Sequence, residues 1–315
     1  MFNPAKWSVK HWVAAALFAW LLAVPLTGDL FYMSLFNRLI LMAVAVVSLN
    51  LILGYGGMLS LGHAAFLGIG AYSVGIPAYY GVYNGWAHLA FAVVFSGLFA
   101  LITGAISLRT RGVHFIMITM AFSQMAFFAF VSIEEYGGDD GLVINSRSVF
   151  APFGDLEKNF VLYYASLLLL FASIHLVYRL VNSRFGMVIS GAKANERRMR
   201  AIGYNVYKYQ LSCYVLAGVI CGLAGALLAN FSNFISPDLL DWFLSGELMF
   251  MVILGGGGTV LGPVFGTTLY MLLEEYMSRL WLYWQLPFGI LLILVVLYGR
   301  GGLIGLLSWR RGGNG

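Results

Sequence analysis

Charged residues are scarce in this chain of 315 residues. Asp, Glu, Lys and Arg make up 10% of it and apolar residues 61%, whereas soluble domains carry about 25% charged residues. A soluble fold of this size cannot bury so much apolar surface in one core. Disorder is excluded too, because it needs low hydrophobicity and high charge. The apolar runs are continuous rather than alternating, which disfavours a membrane barrel of strands.

Cysteine is nearly absent. The two cysteines, Cys213 and Cys221, lie eight residues apart in one apolar stretch. On a helix this separation is about 12 Å along the axis, too far for a disulfide. We therefore expect both to be small packed residues. The histidines are scattered without metal-ligand spacing, so we expect no metal and no cofactor.

Motifs for catalysis or energy supply are missing as well. The sequence has no G-x-x-x-x-G-K-[ST] loop for ATP, no G-x-S-x-G elbow and no H-E-x-x-H. It also lacks the series of mid-span charged residues that a proton relay uses. We predict that the chain is not an enzyme. Because the chain has no recognisable energy source of its own, we expect a pore that is driven by another subunit.

The sequence does contain about ten apolar segments, most of them near the ~20 residues that cross a bilayer as a helix. The segments lie at 11–27, 31–53, 57–80, 86–108, 112–133, 160–182, 209–231, 243–255, 259–274 and 282–298. The predicted fold class is all-α: one polytopic membrane domain over residues 1–315, with short broken helices among its spans.

Basic residues are sorted to one side of this arrangement. They stay on the cytoplasmic side of helical membrane proteins. If the N-terminus is inside, 14 of the 18 lysines and arginines lie inside, and 12 of the 13 acids lie outside or at outer segment ends. We therefore predict cytoplasmic N- and C-termini. The net charge of +5 is then a topology signal and does not indicate nucleic-acid binding.

Two connections between segments are long and polar. Residues 134–159 form an acidic segment on the predicted outer side, and residues 183–208 form a basic loop on the inner side. In the inner loop, 192–202 contains good helix formers, with Glu196 four residues before Arg200. Gly203 is a suitable helix stop. We interpret this stretch as a surface helix that docks onto a partner; an ordinary positive-inside loop is the alternative.

A first glycine-rich break covers Gly54–Gly70. Broken helices inside a membrane occur where the backbone is buried in protein or lines a wet cavity. Ser60 can cap a helix that carries His63 in its first turn. Gly56, Gly57 and Gly62 either line a solute pathway or allow close packing. His63 either faces the pathway or bonds to a neighbouring backbone.

A second break covers Leu254–Gly266. The run Gly255, Gly256, Gly257 and Gly258, followed by Pro263, should split residues 243–274 into two short helices. Paired broken segments indicate a transport site in secondary transporters.

Other spans contribute small and polar residues. Gly218, Gly222 and Gly225 form stripes that let helices approach closely in lipid. Thr119 and Gln124, in the 112–133 segment, either line a pathway or bond to another helix. Glu247, near the outer end of its span, is a functional candidate because ionisable groups in membranes are costly.

Several segments, in order, resemble the LivH/LivM permease family of ABC importers for branched-chain amino acids. The matching segments are 50–66, 111–125, 137–142, 195–203, 222–227, 236–240 and 245–248, running into 255–266. Arg198 and Met199 stand where that family often has two alanines, and His114 stands where a tyrosine is expected.

The resemblance implies a multi-pass permease subunit in a bacterial inner membrane. Its partners would be a second, LivH-like permease, two cytoplasmic ATPases and a periplasmic binding protein. The inner loop would be the element that docks onto the ATPase. Its candidate coupling residues are Lys193, Asn195, Glu196, Arg197, Arg198, Arg200 and Gly203.

Two alternatives stay open at the level of sequence. Permeases of the same family handle urea, short amides and other organic acids, so the solute is not fixed by the resemblance. An ion-coupled secondary transporter belongs to a different class and would work without ATPases. The shortage of buried ionisable groups argues against the second alternative.

Overall fold

Long helices make up most of the protein. The computed structural model describes residues 20–150, 154–280 and 283–298. Its main helices are α1 (Leu30–Asn50), α2 (His63–Tyr79), α3 (Gly85–Ser107), α4 (Val113–Val131), α5 (Asn159–Val181), α6 (Arg184–Ala201), α7 (Val206–Ser232), α8 (Trp242–Gly255), α9 (Gly262–Leu280) and α10 (Gln285–Tyr298). A π-helical turn, Leu51–Tyr55, extends α1.

Five of the described helices are long and apolar enough to cross a membrane. They are α1 with its π-helical turn, α3, α4, α5 and α7. The all-α polytopic membrane fold predicted from the sequence is confirmed. Most of the apolar segment at 11–27 lies outside the described residues. The segment at 57–80 is helical only from His63, because the glycine-rich residues before it do not form a helix.

Helix α7 lies at the centre of the packing, against α1, α2 and α3. The backbone of Gly222 lies directly against Gly70 of α2, and Gly225 lies against the Leu67 carbonyl. Gly218 faces Ala100 and Phe66. A side chain at these positions would push the helices apart, so their contact depends on small residues.

Both cysteines lie on this central helix and are free and buried. The Cys213 thiol is 3.6 Å from the Leu51 carbonyl oxygen, and the Cys221 thiol is 3.7 Å from that of His63. The cysteines therefore pack α7 against the first glycine-rich break, as small core residues do.

The helices separate two chemically different ends. Helix α4 begins beside the basic loop 108–112 and ends beside Glu134 and Glu135. We call the end with loop 108–112 and α6 the basic end. We call the end with residues 134–150 and the start of α8 the acidic end.

The acidic end is folded rather than a loose connection. Strand β1 (Leu142–Val143) pairs antiparallel with β4 (Phe234–Ile235), which follows α7. Strand β2 (Val149–Phe150) pairs with β3 (Gly154–Asp155).

Arg147 ties these pieces together. Its guanidinium donates to Asn233 Oδ1 at 3.2 Å, to Asn159 Oδ1 at 2.7 Å and to the Glu157 carbonyl at 3.2 Å. Burial lowers the pKa of Arg147, while the nearby Glu157 carboxylate raises it. An arginine stays charged in either case, so it holds three segments through several donors at once.

Replacement of Gly225 by alanine tests the packing of α7. The new methyl group would collide with the Leu67 carbonyl and approach Ala71 N. Overpacking of this kind costs about 1–3 kcal/mol, so we expect a lower free energy of unfolding in detergent, measured by denaturant titration. The control is Gly246→Ala in α8, where nothing lies within 4 Å of an added Cβ. Equal stabilities of the two variants would contradict the close approach.

Candidate functional site

At the basic end, α6 packs against α5, α7 and the π-helical turn as an amphipathic element. Val188, Ile189 and Ala192 are buried against the protein, at the i, i+1, i+4 spacing of one helix face. Arg197 and Arg198 are exposed. The helix expected over 192–202 is therefore only the last part of a longer helix, which begins at Arg184 because a buried apolar face precedes the basic residues.

Asn195 interrupts α6. Its backbone is extended, at φ −159° and ψ 98°, and its Oδ1 accepts a hydrogen bond from Arg198 N at 3.0 Å. An asparagine in this position caps the helical turn that follows. The element ends before Gly203, which has a φ of +93° and so adopts the left-handed conformation that glycine favours. The basic residues thus occupy a separate short turn.

Glu196 pairs with two arginines of this end. Its Oε1 lies 2.6 Å from Arg200 Nη2 and 2.8 Å from Arg111 Nη2. Exposed ion pairs contribute about 0–1 kcal/mol each, so their main effect is geometric. The Glu196 side chain is only 19% exposed, and it joins α6 to the α3–α4 loop.

Lys193 connects α6 with the first glycine-rich break. Its ammonium donates to the Gly54 carbonyl at 2.6 Å. Its side-chain stem lies on Gly57, where a Cβ would come within 2.8 Å of Lys193 Cγ and where φ is +68°. Residue 57 must therefore be glycine for two reasons: the lysine stem leaves no room for a side chain, and the backbone has a positive φ.

The two glycine-rich breaks meet at Asn50. Its Oδ1 accepts from Gly258 N at 2.9 Å, and its Nδ2 donates to the Thr259 carbonyl at 2.9 Å. Asn50 is completely buried. Sequence reasoning missed this residue, although an amide at the end of an apolar helix, just before a break, was a usable signal.

The second break is close-packed around this contact. Helix α8 ends at Gly255 and α9 begins at Gly262, which confirms the predicted split. Gly255 lies against the backbone of Gly262 and Gly266. Gly256 and Gly258 have positive φ, and Thr259 Oγ1 accepts from Gly262 N at 3.1 Å. A Cβ added at Gly257 would lie 3.7 Å from Gly54 Cα, so the two breaks approach each other here.

A polar cavity of about 220 Å³ opens between these elements at the basic end. It is lined by Gly56, Gly57, Met58, Leu59, Leu108, Thr110, Arg111, Gly112, Phe115, Ala192, Lys193, Glu196 and Gln210. The first break, the α3–α4 loop and α6 thus share one water-accessible space.

Three of the predicted pathway residues gather at the start of α2. Ser60, His63 and Thr119 are all buried. Thr119 Oγ1 accepts from Leu61 N at 3.2 Å, and Gly62 fits against the Thr119 carbonyl. Ser60 does not cap α2. It accepts from Gly62 N at 3.3 Å, because the helix begins only at His63, with Gly62 in the cap position.

His63 bonds to the Ser48 side chain and also interacts with the backbone of Ala45. Its Nε2 lies 2.8 Å from Ser48 Oγ, and this hydroxyl donates to the Ala45 carbonyl at 2.7 Å. The Ser48 hydroxyl thus links His63 of α2 to the backbone of α1. The other ring nitrogen, Nδ1, has no hydrogen-bond partner among the described residues.

Gln124 and Glu247 lie away from this group. Gln124 Nε2 donates to Asp241 Oδ1 at 2.5 Å, which joins α4 to the start of α8. Glu247 is half-buried on α8 and interacts electrostatically with Glu274 and Arg38. The structure therefore brings together three of the five candidates. In the described parts of the chain, no group of three His, Cys, Asp or Glu residues could hold a metal ion.

Ser245 is a further residue that the sequence did not single out. Its hydroxyl, buried on α8, accepts from Ala64 N at 2.9 Å in the first turn of α2. Helix starts leave such amides unpaired, so Ser245 serves as a cap supplied by another helix.

Comparison with known proteins gives one family and several relatives. The family described as "Branched-chain amino acid transport system / permease component" matches residues 31–298. The high-affinity branched-chain amino acid transport system permease proteins LivM of Salmonella typhimurium and Escherichia coli are each 25% identical over 281 residues. Each match covers 82% of this chain and 66% of the relative, so the chain spans slightly less than two thirds of those proteins.

A relative from a third organism also carries the LivM name. A probable branched-chain amino acid transport permease protein LivM of Methanocaldococcus jannaschii is 24% identical over 313 residues, covering 83% of this chain and 89% of the relative. No solved structure matches this chain.

Replacement of Ser245 by alanine tests the cap on α2. Loss of a capping side chain costs about 1 kcal/mol, and Ala64 N would be left buried without its partner. We expect a correspondingly lower free energy of unfolding in detergent. Ser212→Ala is the matched control, because that hydroxyl is exposed and bonds only within its own helix, to the Lys208 carbonyl. A Ser245 variant as stable as the control would show that the cap is dispensable.

Proposed function

The chain belongs to the family of permease components of branched-chain amino acid transport systems, and we propose that it is the transmembrane permease subunit of an ATP-driven ABC importer for branched-chain amino acids. The observation that carries this proposal is the family match over residues 31–298. The helical membrane fold supports it, as does the lack of an ATP-binding loop in the sequence.

The importer would be a heteromeric complex in the bacterial inner membrane. A second, related permease would complete the translocation path, two cytoplasmic ATPases would supply energy, and a periplasmic binding protein would deliver the solute. The basic end would face the cytoplasm, because basic residues remain there, and the acidic end would face the binding protein.

Helix α6 would be the element that docks onto the ATPase. Its buried face fixes it to the membrane domain, and its last turn presents exposed arginines. Glu196 connects that turn to the α3–α4 loop. Lys193, just before the turn, connects α6 to the first break. Closure of the ATPases on ATP would therefore move a helix that is already bonded to the interrupted part of the membrane domain.

The solute path would run beside the interrupted helices. The start of α2 carries buried hydroxyl and imidazole groups from Ser60, His63 and Thr119. Polar groups at membrane depth mark solute pathways by default. Gln124 and Glu247, which lie elsewhere, would contribute only if the path extends toward the acidic end.

Reconstitution of the complex tests the proposed function. In proteoliposomes with binding protein outside and ATP inside, we expect uptake of radiolabelled leucine that stops when ATP is replaced by a non-hydrolysable analogue. Urea and short amides, offered as competitors in excess, should leave leucine uptake unchanged. Uptake by the purified chain alone, driven by a sodium or proton gradient without ATP, would contradict the proposal.

Charge reversal at Glu196 tests the docking element. In Glu196→Lys, the new ammonium would repel Arg111 and Arg200 in place of the ion pairs at 2.8 and 2.6 Å. We expect ATP hydrolysis stimulated by the binding protein and leucine uptake to fall together, by about tenfold for each ~1.4 kcal/mol of lost coupling.

The matched control for this experiment is Arg179→Glu, a charge reversal at an exposed residue in the last turn of α5, at the same end but outside residues 183–208. We expect this variant to retain both activities. If Glu196→Lys retains them too, α6 is not the docking element.

A further inference from the structure

We propose that Asn50 passes the movement of α6 from the first glycine-rich break to the second, and so acts as the positioning residue that couples ATPase closure to the opening of the membrane domain. This inference rests on the proposed function, because it assumes that α6 docks onto an ATPase. Asn50 touches neither the ATPase nor the solute in this role; it acts on the backbone of the two interrupted segments.

The first step of this connection leads from α6 to the first break. The Lys193 ammonium donates to the Gly54 carbonyl at 2.6 Å, and the lysine stem packs on Gly57. A charged donor on a carbonyl forms a stronger hydrogen bond than a neutral one. Displacement of α6 therefore acts directly on the π-helical turn.

The second step lies within that turn. Gly54 stands four residues after Asn50, one helical turn away, and its Cα is covered by the amide of Asn50: a Cβ at residue 54 would collide with Asn50 Oδ1 and with Gly258 N. The three groups are packed without space between them. A shift of the turn at Gly54 must therefore move the Asn50 amide, the backbone of residue 258, or both.

The third step is the amide of Asn50 itself. It accepts from Gly258 N and donates to the Thr259 carbonyl, both at 2.9 Å. Among the described residues, these are the two hydrogen bonds that join the segment 256–261 to a side chain outside it. Since a buried amide left without partners costs about 1–3 kcal/mol, the second break follows Asn50 when it moves.

Thr259 extends the connection to α9. Its hydroxyl accepts from Gly262 N at 3.1 Å and donates to the Gly256 carbonyl at 2.9 Å. The start of α9 is thus held by the same residue whose carbonyl Asn50 binds. Positive φ at Gly256 and Gly258 shows that this segment is not helical, so it can rearrange without breaking a helix.

The test is solute transported per ATP hydrolysed in the reconstituted full complex. Asn50→Leu keeps the side-chain size but removes both hydrogen bonds, and Lys193→Met removes the ammonium but keeps the stem. We expect each variant to lower leucine uptake per ATP by about tenfold, the factor that corresponds to ~1.4 kcal/mol. Because both residues act in one connection, the double variant should lose no more than the worse single variant.

Two control variants match these substitutions. Asn37→Leu makes the same change in the same helix, at a buried asparagine whose Oδ1 has no hydrogen-bond partner among the described residues. Arg179→Met likewise replaces an exposed cation of the basic end by methionine, outside residues 183–208. Both should transport as much leucine per ATP as the parent complex.

The outcomes separate this inference from the proposed function. Unchanged transport per ATP in Asn50→Leu, or losses that multiply in the double variant, would overturn the inference while the parent complex still imports leucine. A parent complex with no ATP-dependent uptake would refute the proposed function itself. If Asn50→Leu does not assemble, two other variants replace it. Lys193→Met changes an exposed residue, and Asn50→Asp keeps only the acceptor for Gly258 N. Unchanged leucine transport per ATP in both would overturn the inference.

Discussion

The hydrogen-bonding requirement of the peptide backbone is the constraint on which the rest of this structure depends. Inside a membrane no water satisfies exposed N–H and C=O groups, so a helix can be interrupted only where protein supplies partners. This chain interrupts its helices twice, and it meets the requirement with a few side chains. Asn50 serves the second break, while Ser245 and Thr119 serve the start of α2. These three buried polar side chains therefore bond to backbone groups at the places where regular helix stops.

Close packing by small residues is the second condition for this arrangement. Apolar side chains gain no hydrophobic energy from leaving lipid for protein, so helices associate through van der Waals contact and interhelical hydrogen bonds. Glycines on α7 bring its backbone against α2 and α3, and glycines at the breaks bring α8 against α9. The same residue type thus builds the close-packed centre of the molecule and the interrupted segments beside it, and only position distinguishes the two uses.

The sequence predicted the helical class, most segment bounds and the split at Gly255–Gly262, because apolar periodicity and helix-breaking residues are local signals. It also indicated the basic helix that contains Glu196 and the small-residue stripe around Gly222. It did not reveal that Asn50 joins the two breaks, since residues 50 and 258 are related only by the fold. For the same reason the folded acidic end and the Ser48–His63 bond were missed. The apolar half of α6 was missed although the spacing of Val188, Ile189 and Ala192 is a local signal. Pairing between distant residues needs three-dimensional information that one sequence does not contain.

The pairing of β1 with β4 has a consequence for recognition at the acidic end. This pairing, together with the bonds of Arg147, fastens the acidic segment to the end of α7, the helix with the most central position. A partner that binds there meets a surface that is already ordered, so association does not have to pay the conformational entropy of fixing a free loop. A shift of the central helix would therefore alter the acidic face, and by reciprocity binding at that face would bias the helix by the same free energy.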